Sequence, residues 1–315
     1  MRVLITGGNG YVGRTLTRNL YDEHSVAVLD TLRSGALRFN AGDHERFAMY
    51  QIDVRDYAAV QSAVDVFKPE AIIHLAAIHF IPECNEKPDE AIAINTLGTA
   101  NMLRACPEGT TFVLASTAAV YSAEETPHRE DSSPTHPMDV YGLTKLHAEH
   151  YVRLWAPMKS LDARIVRLFN VIGPGETNPH ILPAILAQTM RGVSKLRLGN
   201  CHPKRDYIHV QDAASGFAAV ATKPWNGPGV DVVNLGTGQS YSVYELVEQL
   251  GQVAGHPLEI ETDPSRLRAS DRPFVTASID KIYSRYKWKP RFSLRESLHD
   301  LWQTPDIPAE LLERS

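Results

Sequence analysis

The sequence predicts an α/β protein built on a doubly wound parallel sheet, with a smaller second lobe interwoven with it. In the first half of the chain, short apolar runs alternate with helical patterns, and a glycine-rich turn joins the first run to the first helix. The chain has 315 residues, of which 43% are hydrophobic and 22% charged, as in an ordinary globular protein. This length allows one large domain or two domains that share a cleft.

The apolar runs of the first half are short and rich in β-branched residues, which is typical of strands buried on both faces. The predicted strands are Arg2–Thr6, Ser25–Asp30, Phe47–Ile52, Ala71–Leu75, Thr111–Ala115 and Arg164–Phe169. The predicted helices between them are Tyr11–Tyr21, Tyr57–Phe67, Asp89–Ala105 and Val140–Ala156. Repeated strand–helix–strand units with right-handed crossovers produce a parallel sheet covered on both faces.

Beyond Phe169 the chain is punctuated by glycine and proline, and its pattern changes. The predicted elements there are Ile181–Arg191, Lys195–Leu198, Tyr207–Val210, Val230–Leu235, Val243–Ala254, Ile279–Tyr286 and Leu294–Trp302. We therefore expect residues 1–170 to form a nucleotide-binding domain, to which the chain returns around 206–235. Residues 171–315 should mainly form the second, substrate-binding domain.

The composition argues against several classes of protein. A net charge of −5 gives no electrostatic reason to expect nucleic acid or an anionic membrane as partner. No apolar stretch approaches the roughly 20 residues that span a bilayer, and the N-terminus does not resemble a signal peptide. The cysteines, Cys84, Cys106 and Cys201, lack metal-ligand spacing and are typical of free thiols in a reducing cytoplasm. We expect a cytoplasmic protein with no metal site.

The turn after the first strand carries Gly7, Gly10 and Gly13, with Tyr11 and Val12 between the last two. Gly7 allows a tight turn, Gly10 lets a pyrophosphate approach the backbone, and Gly13 permits close packing of helix on strand. The helix N-terminus then offers free N–H groups to the anion. The spacing predicts a Rossmann-type dinucleotide site.

An acidic residue at the end of the second strand indicates which dinucleotide binds. Asp30 is placed to hydrogen-bond the adenine ribose 2′-hydroxyl and to repel a 2′-phosphate, which favours NAD. Arg33 is a counterargument, because a nearby arginine can receive a phosphate. Asp53 comes after the third strand, where it either contacts the adenine or caps the next helix, and the adjacent Val54 is also predicted to contact the cofactor.

A hydroxyl, a phenol and an ammonium group are predicted to meet at the end of the fifth strand. Ser116 and Thr117 lie where cofactors bind in such sheets, and Tyr141 and Lys145 share one face of the following helix. Lys145, held next to the phenol and to NAD⁺, is expected to lower the pKa of Tyr141, so that the phenolate can take a proton from a sugar alcohol during hydride transfer.

Together these motifs resemble an extended short-chain dehydrogenase/reductase, and specifically the NAD-dependent epimerase/dehydratase family that acts on nucleotide sugars. The resemblance implies that Thr117, four residues before Tyr121, is the catalytic hydroxyl, and Ser116 the alternative. It implies cofactor contacts from the residues Leu75, Ala76, Ala77 and Asn95, and substrate contacts from Asn170, Leu198, Arg205 and Arg268. It also implies a homodimer formed through the helices Asp89–Ala105 and Val140–Ala156.

Two alanines narrow the reaction. Family dehydratases carry an Asp-Glu pair after the catalytic hydroxyl and decarboxylases a glutamate, whereas this chain has Ala118 and Ala119. A methyl group cannot move a proton, so we expect 4-epimerisation of a nucleotide sugar, with a UDP-sugar preferred. The alternative is NAD(P)H-dependent reduction of a 4-keto-6-deoxy nucleotide sugar. An inactive NAD-binding sensor or scaffold is the alternative of another class, which the intact Tyr141–Lys145 pair disfavours.

Overall fold

The computed structural model describes residues 1–33, 35, 37–176, 178–225, 227–266 and 272–307. The strands are β1 Arg2–Thr6, β2 Ser25–Asp30, β3 Phe47–Gln51, β4 Ala71–His74, β5 Thr111–Thr117, β6 Asp162–Leu168, β7 Asn170–Ile172, β8 Lys195–Leu198, β9 Lys204–His209, β10 Asp231–Leu235, β11 Ser240–Tyr241, β12 Glu259–Thr262 and β13 Phe274–Val275. The α-helices are α1 Tyr11–Leu20, α2 Tyr57–Phe67, α3 Ile81–Glu86, α4 Pro88–Ala91, α5 Gly98–Ala105, α6 Val140–Met158, α7 Ile181–Met190, α8 Val210–Thr222, α9 Val243–Ala254, α10 Asp280–Tyr286 and α11 Leu294–Gln303.

The predicted doubly wound parallel sheet is confirmed. Among the described residues, seven strands form one parallel sheet in the order β10-β6-β5-β4-β1-β2-β3. Alternate residues of β1 enter different cores, because successive side chains of a strand point to opposite faces. Ile5 packs in a core with Phe217 of α8, whereas Leu4 packs in the core that contains Met102 of α5. Helices therefore cover both faces of the sheet.

The segment predicted as one helix over 89–105 is broken into three pieces. The short helix α4 is followed by a π-helix at Ile92–Leu97 and then by α5. The Gly98 N–H donates to the carbonyl oxygen of Ala93, the longer hydrogen-bond pattern that defines a π-bulge. Such bulges are frequent at functional sites, and this one carries Asn95.

The chain returns to the main sheet near its C-terminal third. Helix α8, which the sequence pattern did not predict, packs on α1, and β10 then pairs with β6. The remaining strands form small sheets of their own, with β9 between β11 and β13 and with β8 paired to β12. A separate core joins α7, α9 and α11 through Ile185, Leu246 and Leu298, each fully buried.

None of the described helices combines the length and the apolar composition needed to cross a membrane. The carboxyl ends of β1, β4, β5 and β6 lie at one edge of the main sheet, next to the second lobe. Ligands bind outside these ends in doubly wound folds, and the cavity of this protein lies there.

Candidate active site

A cavity of about 910 Å³ opens between the carboxyl edge of the main sheet and the second lobe. It is lined from the sheet side by the glycine turn after β1 and by the ends of β4 and β5, and from the lobe side by α7 and β8. Its volume is at the upper end of the range for small-molecule pockets.

The glycine turn forms a cradle that no other residue type could build. Gly7 has φ +70°, and a Cβ there would lie 2.8 Å from the backbone nitrogen of Ala76. A Cβ on Gly13 would lie 2.2 Å from the carbonyl oxygen of Gly7. Gly10 is the N-cap of α1, so the helix begins at the cavity and offers N–H groups to an anion. The cradle fits a dinucleotide pyrophosphate, and Tyr11 and Val12 line it.

Asp30 is held at the end of β2 by two backbone amides, from Asn9 at 3.0 Å and Leu32 at 2.8 Å. Arg33, the residue that could have favoured a 2′-phosphate, points elsewhere: its guanidinium pairs with Glu83 at 2.5 Å and with Glu90. A phosphate on the 2′-oxygen of the adenine ribose would face the Asp30 carboxylate. Arg33 is already paired with two carboxylates and points away from that position.

Asp53 does not cap a helix, so that alternative is wrong. The N-cap of α2 is Asp56, whose side chain accepts from the Ala59 N–H. Asp53 instead binds the guanidinium of Arg55 through both carboxylate oxygens and accepts the Arg55 N–H at 2.8 Å. These contacts lower the pKa of Asp53 despite its partial burial.

Two predicted cofactor contacts prove to be buried behind the cavity wall. Val54 is 4% exposed and packs closely under Gly98. Asn95 is fully buried: its Oδ1 accepts from the Ile78 N–H at 2.8 Å, and its Nδ2 donates to the Ile78 carbonyl and to Thr144 Oγ1. Asn95 therefore ties the loop after β4 to helix α6. Leu75 and Ala77 line the cavity, whereas Ala76 backs the glycine turn.

Helix α6 presents Tyr141 and Lys145 to the cavity beside Thr117. The helix begins at Asp139, whose Oδ1 accepts the Gly142 N–H at 2.7 Å and fixes the first turn. Thr117 shares a side-chain hydrogen bond with Tyr141. The Ser116 hydroxyl is engaged elsewhere, because it donates to Glu149 at 2.5 Å. The structure thus brings Thr117, and not Ser116, to the phenol.

In the protein without cofactor the pKa of Tyr141 is raised, so the lowering expected beside Lys145 and NAD⁺ stays a prediction for the complex. Burial raises the pKa of Tyr141 above its usual range, and the main opposing influence is the hydrogen bond from Thr117. Burial also lowers the pKa of Lys145 to about 8, against the pull of the Glu149 carboxylate. Desolvation outweighs the opposing influences in both cases, Thr117 for Tyr141 and Glu149 for Lys145.

The Lys145 ammonium is 1% exposed and makes no hydrogen bond to any residue that the structure describes. A buried charged donor without an acceptor is costly, so its arrangement fits a ligand that brings hydroxyl or phosphate oxygens to this point. The ribose of a bound dinucleotide offers such oxygens. Together with the glycine cradle, this orphaned ammonium shows that the site fits the predicted NAD.

Residues of the second lobe complete the cavity. Of the predicted substrate residues, Asn170, Leu198 and Arg205 line it, whereas Arg268 lies outside the described residues. Arg272, which the sequence analysis missed, also lines the cavity and donates to the Ala118 carbonyl and to Asp139. Arg272 comes four residues after the predicted Arg268 in the sequence. Only the folded structure shows that Arg272 lines the cavity.

A short segment after β7 crosses toward the glycine turn and was not predicted. We call residues 173–176 the clasp. The Tyr11 hydroxyl donates to the Gly173 carbonyl at 2.8 Å, and Arg14 Nη2 donates to the Gly175 carbonyl at 2.8 Å. Gly173 and Gly175 have φ of +132° and +89°, conformations that favour glycine. The clasp also carries Glu176, which is 7% exposed and lines the cavity.

The methyl groups of Ala118 and Ala119 lie in the cavity wall directly after Thr117. Both residues are buried, at 6% and 8% exposure. No proton-carrying side chain therefore occupies either position beside the Thr117 hydroxyl.

Known proteins are similar to this chain over nearly its whole length. Residues 3–236 match the model of the NAD dependent epimerase/dehydratase family. The chain is 30% identical to a UDP-glucose 4-epimerase of Corynebacterium glutamicum, over 96% of this chain and 95% of that one. It is also 30% identical to a GDP-6-deoxy-D-mannose reductase of Pseudomonas aeruginosa, over 94% of both chains.

Among solved structures, the chain is similar to a UDP-glucose 4-epimerase from Stenotrophomonas maltophila with bound NAD and formylated UDP-arabinopyranose. The TM-score is 0.85 at 26% identity, covering 96% of this chain and 97% of that one. A UDP-glucose 4-epimerase from Bifidobacterium longum in complex with NAD+ and UDP matches with a TM-score of 0.83 at 26% identity, over 97% and 99% of the two chains.

Proposed function

The chain belongs to the NAD-dependent epimerase/dehydratase family, and on that premise we propose that it is an NAD-dependent 4-epimerase of a UDP-linked sugar. The observation that carries the proposal is the cavity around Thr117, Tyr141 and Lys145, in which Ala118 and Ala119 occupy the neighbouring positions. These residues can transfer one proton, at the hydroxyl of one sugar carbon. They include no second acid or base where the family's dehydratases and decarboxylases carry one.

NAD, held by the glycine turn and Asp30, would supply a reversible hydride acceptor for C4 of the sugar. Tyr141, which the positive charges of Lys145 and of the bound cofactor would hold as the phenolate, removes the proton from the 4-hydroxyl and gives it back after the 4-keto sugar has turned over. Thr117, hydrogen-bonded to the phenol, orients both the phenol and the sugar hydroxyl. The Lys145 ammonium supplies positive charge next to the phenol and a donor for the cofactor ribose.

The glycine turn at Gly7, Gly10 and Gly13 holds the cofactor pyrophosphate, and Asp30 binds the adenine ribose. Leu75 and Ala77 contact the cofactor from the end of β4. We assign the cofactor to residues 1–170 with the returning segment around 206–235, and the nucleotide sugar mainly to residues 171–315. In that lobe Asn170, Leu198 and Arg205 contact the substrate, and two guanidinium groups, from Arg205 and Arg272, face the cavity that the diphosphate enters.

The second candidate is reduction of a 4-keto-6-deoxy nucleotide sugar. The similarity to the GDP-6-deoxy-D-mannose reductase, equal in identity to that with the Corynebacterium epimerase, favours it. A reductase must exchange its cofactor in every cycle, whereas an epimerase retains it. The clasp across the cofactor turn and the Asp30 carboxylate, which disfavours NADP, both support the epimerase.

The discriminating experiment incubates the purified protein with UDP-glucose and no added cofactor, and follows UDP-galactose by chromatography. Interconversion of the two 4-epimers supports the proposal. A parallel incubation supplies GDP-4-keto-6-deoxy-mannose with NADPH or NADH. Stoichiometric oxidation of the reduced cofactor, without epimer formation from any UDP-sugar, would establish the reductase instead.

We further propose a homodimer formed through the π-helix and α6. Large apolar side chains are exposed there: Leu97 at 49%, Leu143 at 46%, Leu154 at 59% and Met158 at 73%. Clustered exposed apolar residues mark interaction sites. Light scattering should give twice the chain mass, and Leu154→Glu should give the monomer.

We assign the protein to the cytoplasm, since Cys84, Cys106 and Cys201 are free thiols, all buried.

A further inference from the structure

A row of ionisable side chains continues from the active site into the protein along α6. Tyr141, Lys145 and Glu149 follow one another at four-residue intervals, so they share one face of the helix. Tyr141 and Lys145 line the cavity, whereas Glu149 lies one turn deeper and is 1% exposed. A carboxylate so deeply buried needs hydrogen bonds and a counter-charge.

Glu149 has both. Its Oε1 accepts from Ser116 at 2.5 Å and from Arg167 Nε at 3.0 Å, and its Oε2 accepts from Arg167 Nη2 at 2.8 Å. Arg167, on β6, is 3% exposed and lies over the ring of Tyr121 at 4.7 Å. Glu149 thus connects α6 to β5 and β6 at the level of the catalytic hydroxyl, because Ser116 directly precedes Thr117.

The groups around Lys145 leave Glu149 as its main counter-charge. His74 of β4 is fully buried and neutral, because burial and the nearby Lys145 charge lower its pKa to about 3. Cys84 of α3 remains a thiol, because burial raises its pKa to about 12. His79, at the cavity wall, cannot supply a negative charge to Lys145. Arg167 of β6 is a cation and is bound to Glu149.

We propose that Glu149 is a positioning residue of this site: its carboxylate keeps the buried Lys145 ammonium charged and, through Ser116, fixes the strand end that carries Thr117. The inference rests on the proposed function for the role of Lys145 in turnover. It does not depend on which nucleotide sugar is the substrate, because Lys145 also faces the cofactor ribose.

Removing the carboxylate charge has a predictable sign. Glu149 favours the charged form of Lys145, so its loss lowers the pH at which Lys145 gives up its proton. For a charge pair one helical turn apart, the shift is about 1–2 pH units. In Glu149→Gln, the pH above which kcat falls should decrease by that amount. The pH above which NAD binding is lost should decrease by the same amount.

Two further variants separate charge from folding. Glu149→Gln leaves Arg167 buried without its partner, which is destabilising, so the double variant Glu149→Gln/Arg167→Met removes both charges together. The double variant should show the same direction of shift. Ser116→Ala removes a hydrogen bond of Glu149 but keeps its charge, and its alkaline limb should stay within about 0.3 pH units of wild type, as expected when the charge pair is intact.

The experiment measures NAD binding by protein fluorescence between pH 6 and 10 for all four proteins, after circular dichroism has shown that they are folded. Turnover is measured over the same range with UDP-glucose. A shift in both limbs, in the single or the double variant, supports the inference. Unchanged limbs in folded Glu149→Gln and in the folded double variant overturn it. If UDP-glucose is not turned over, the binding curves still decide the role of Glu149, while the proposed function fails separately.

Discussion

Loss of the Tyr11 hydroxyl should shorten the residence of NAD on the protein. Tyr11→Phe removes the 2.8 Å hydrogen bond to the Gly173 carbonyl and leaves the phenyl ring in place. Tyr11 is 6% exposed and Gly173 is buried, so the carbonyl loses its partner in a largely dry place. The cofactor turn and the clasp are then joined mainly by Arg14 and Gly175.

The size of the effect follows from the burial of that carbonyl. A buried acceptor left without its donor costs about 1–3 kcal/mol. Since the clasp borders the cavity, water can replace part of the lost bond, and the lower end of this range, about 1 kcal/mol, applies. If the clasp must open before NAD leaves, release should accelerate about fivefold, and by no more than roughly 150-fold.

The assay loads each protein with radiolabelled NAD, adds an excess of unlabelled NAD, and follows the label retained after rapid desalting. Tyr21→Phe is the matched control, because the Tyr21 hydroxyl also makes one hydrogen bond, to Asp43 at 2.8 Å, but does not line the cavity. Its NAD release should equal that of wild type. Equal release from Tyr11→Phe and Tyr21→Phe, with both proteins folded, would refute the role of the clasp in retention.

Two further substitutions test the catalytic set and the glycine turn. Tyr141→Phe should lower kcat by about 10²–10⁴-fold, because the group that carries the proton is lost. The Kd for NAD should change less than about threefold. A variant with near wild-type turnover excludes Tyr141 as the base. Gly13→Ala places a methyl group 2.2 Å from the Gly7 carbonyl oxygen, which should cost about 1–3 kcal/mol and lower Tm by roughly 2–10 °C; an unchanged melting curve would contradict the close packing at this turn.

The main sheet could be predicted because its strands are apolar, β-branched and bounded by turns. The structure ends β1 and β2 at the predicted residues, Arg2–Thr6 and Ser25–Asp30. Helix α8 was missed since its alanines and the glycine at 216 give no clear apolar stripe. That glycine has a tertiary reason, because a Cβ there would lie 2.3 Å from Leu235. The π-helix was missed because one extra residue in a turn leaves no mark in the sequence pattern.

The candidate site could be predicted only as far as its motifs extend. Spacing placed Tyr141 and Lys145 on one helix face, and the structure brings both to the cavity with Thr117. The raised pKa of Tyr141 in the protein without cofactor could not be predicted, because burial depends on the surrounding fold and not on spacing. Glu149 and Arg167 were missed as a pair for the same reason: eighteen residues separate them in sequence, and only the packing of α6 on the sheet joins them.

The return of the same hydride to C4 is the central claim, and a deuterium label at C4 of UDP-glucose tests it most directly. The protein, without added cofactor, should form UDP-galactose that retains the label at C4, because the hydride leaves and returns within one closed site. Nuclear magnetic resonance of the product gives the label content. Loss of the label to solvent, or its appearance in released reduced cofactor, would contradict the account.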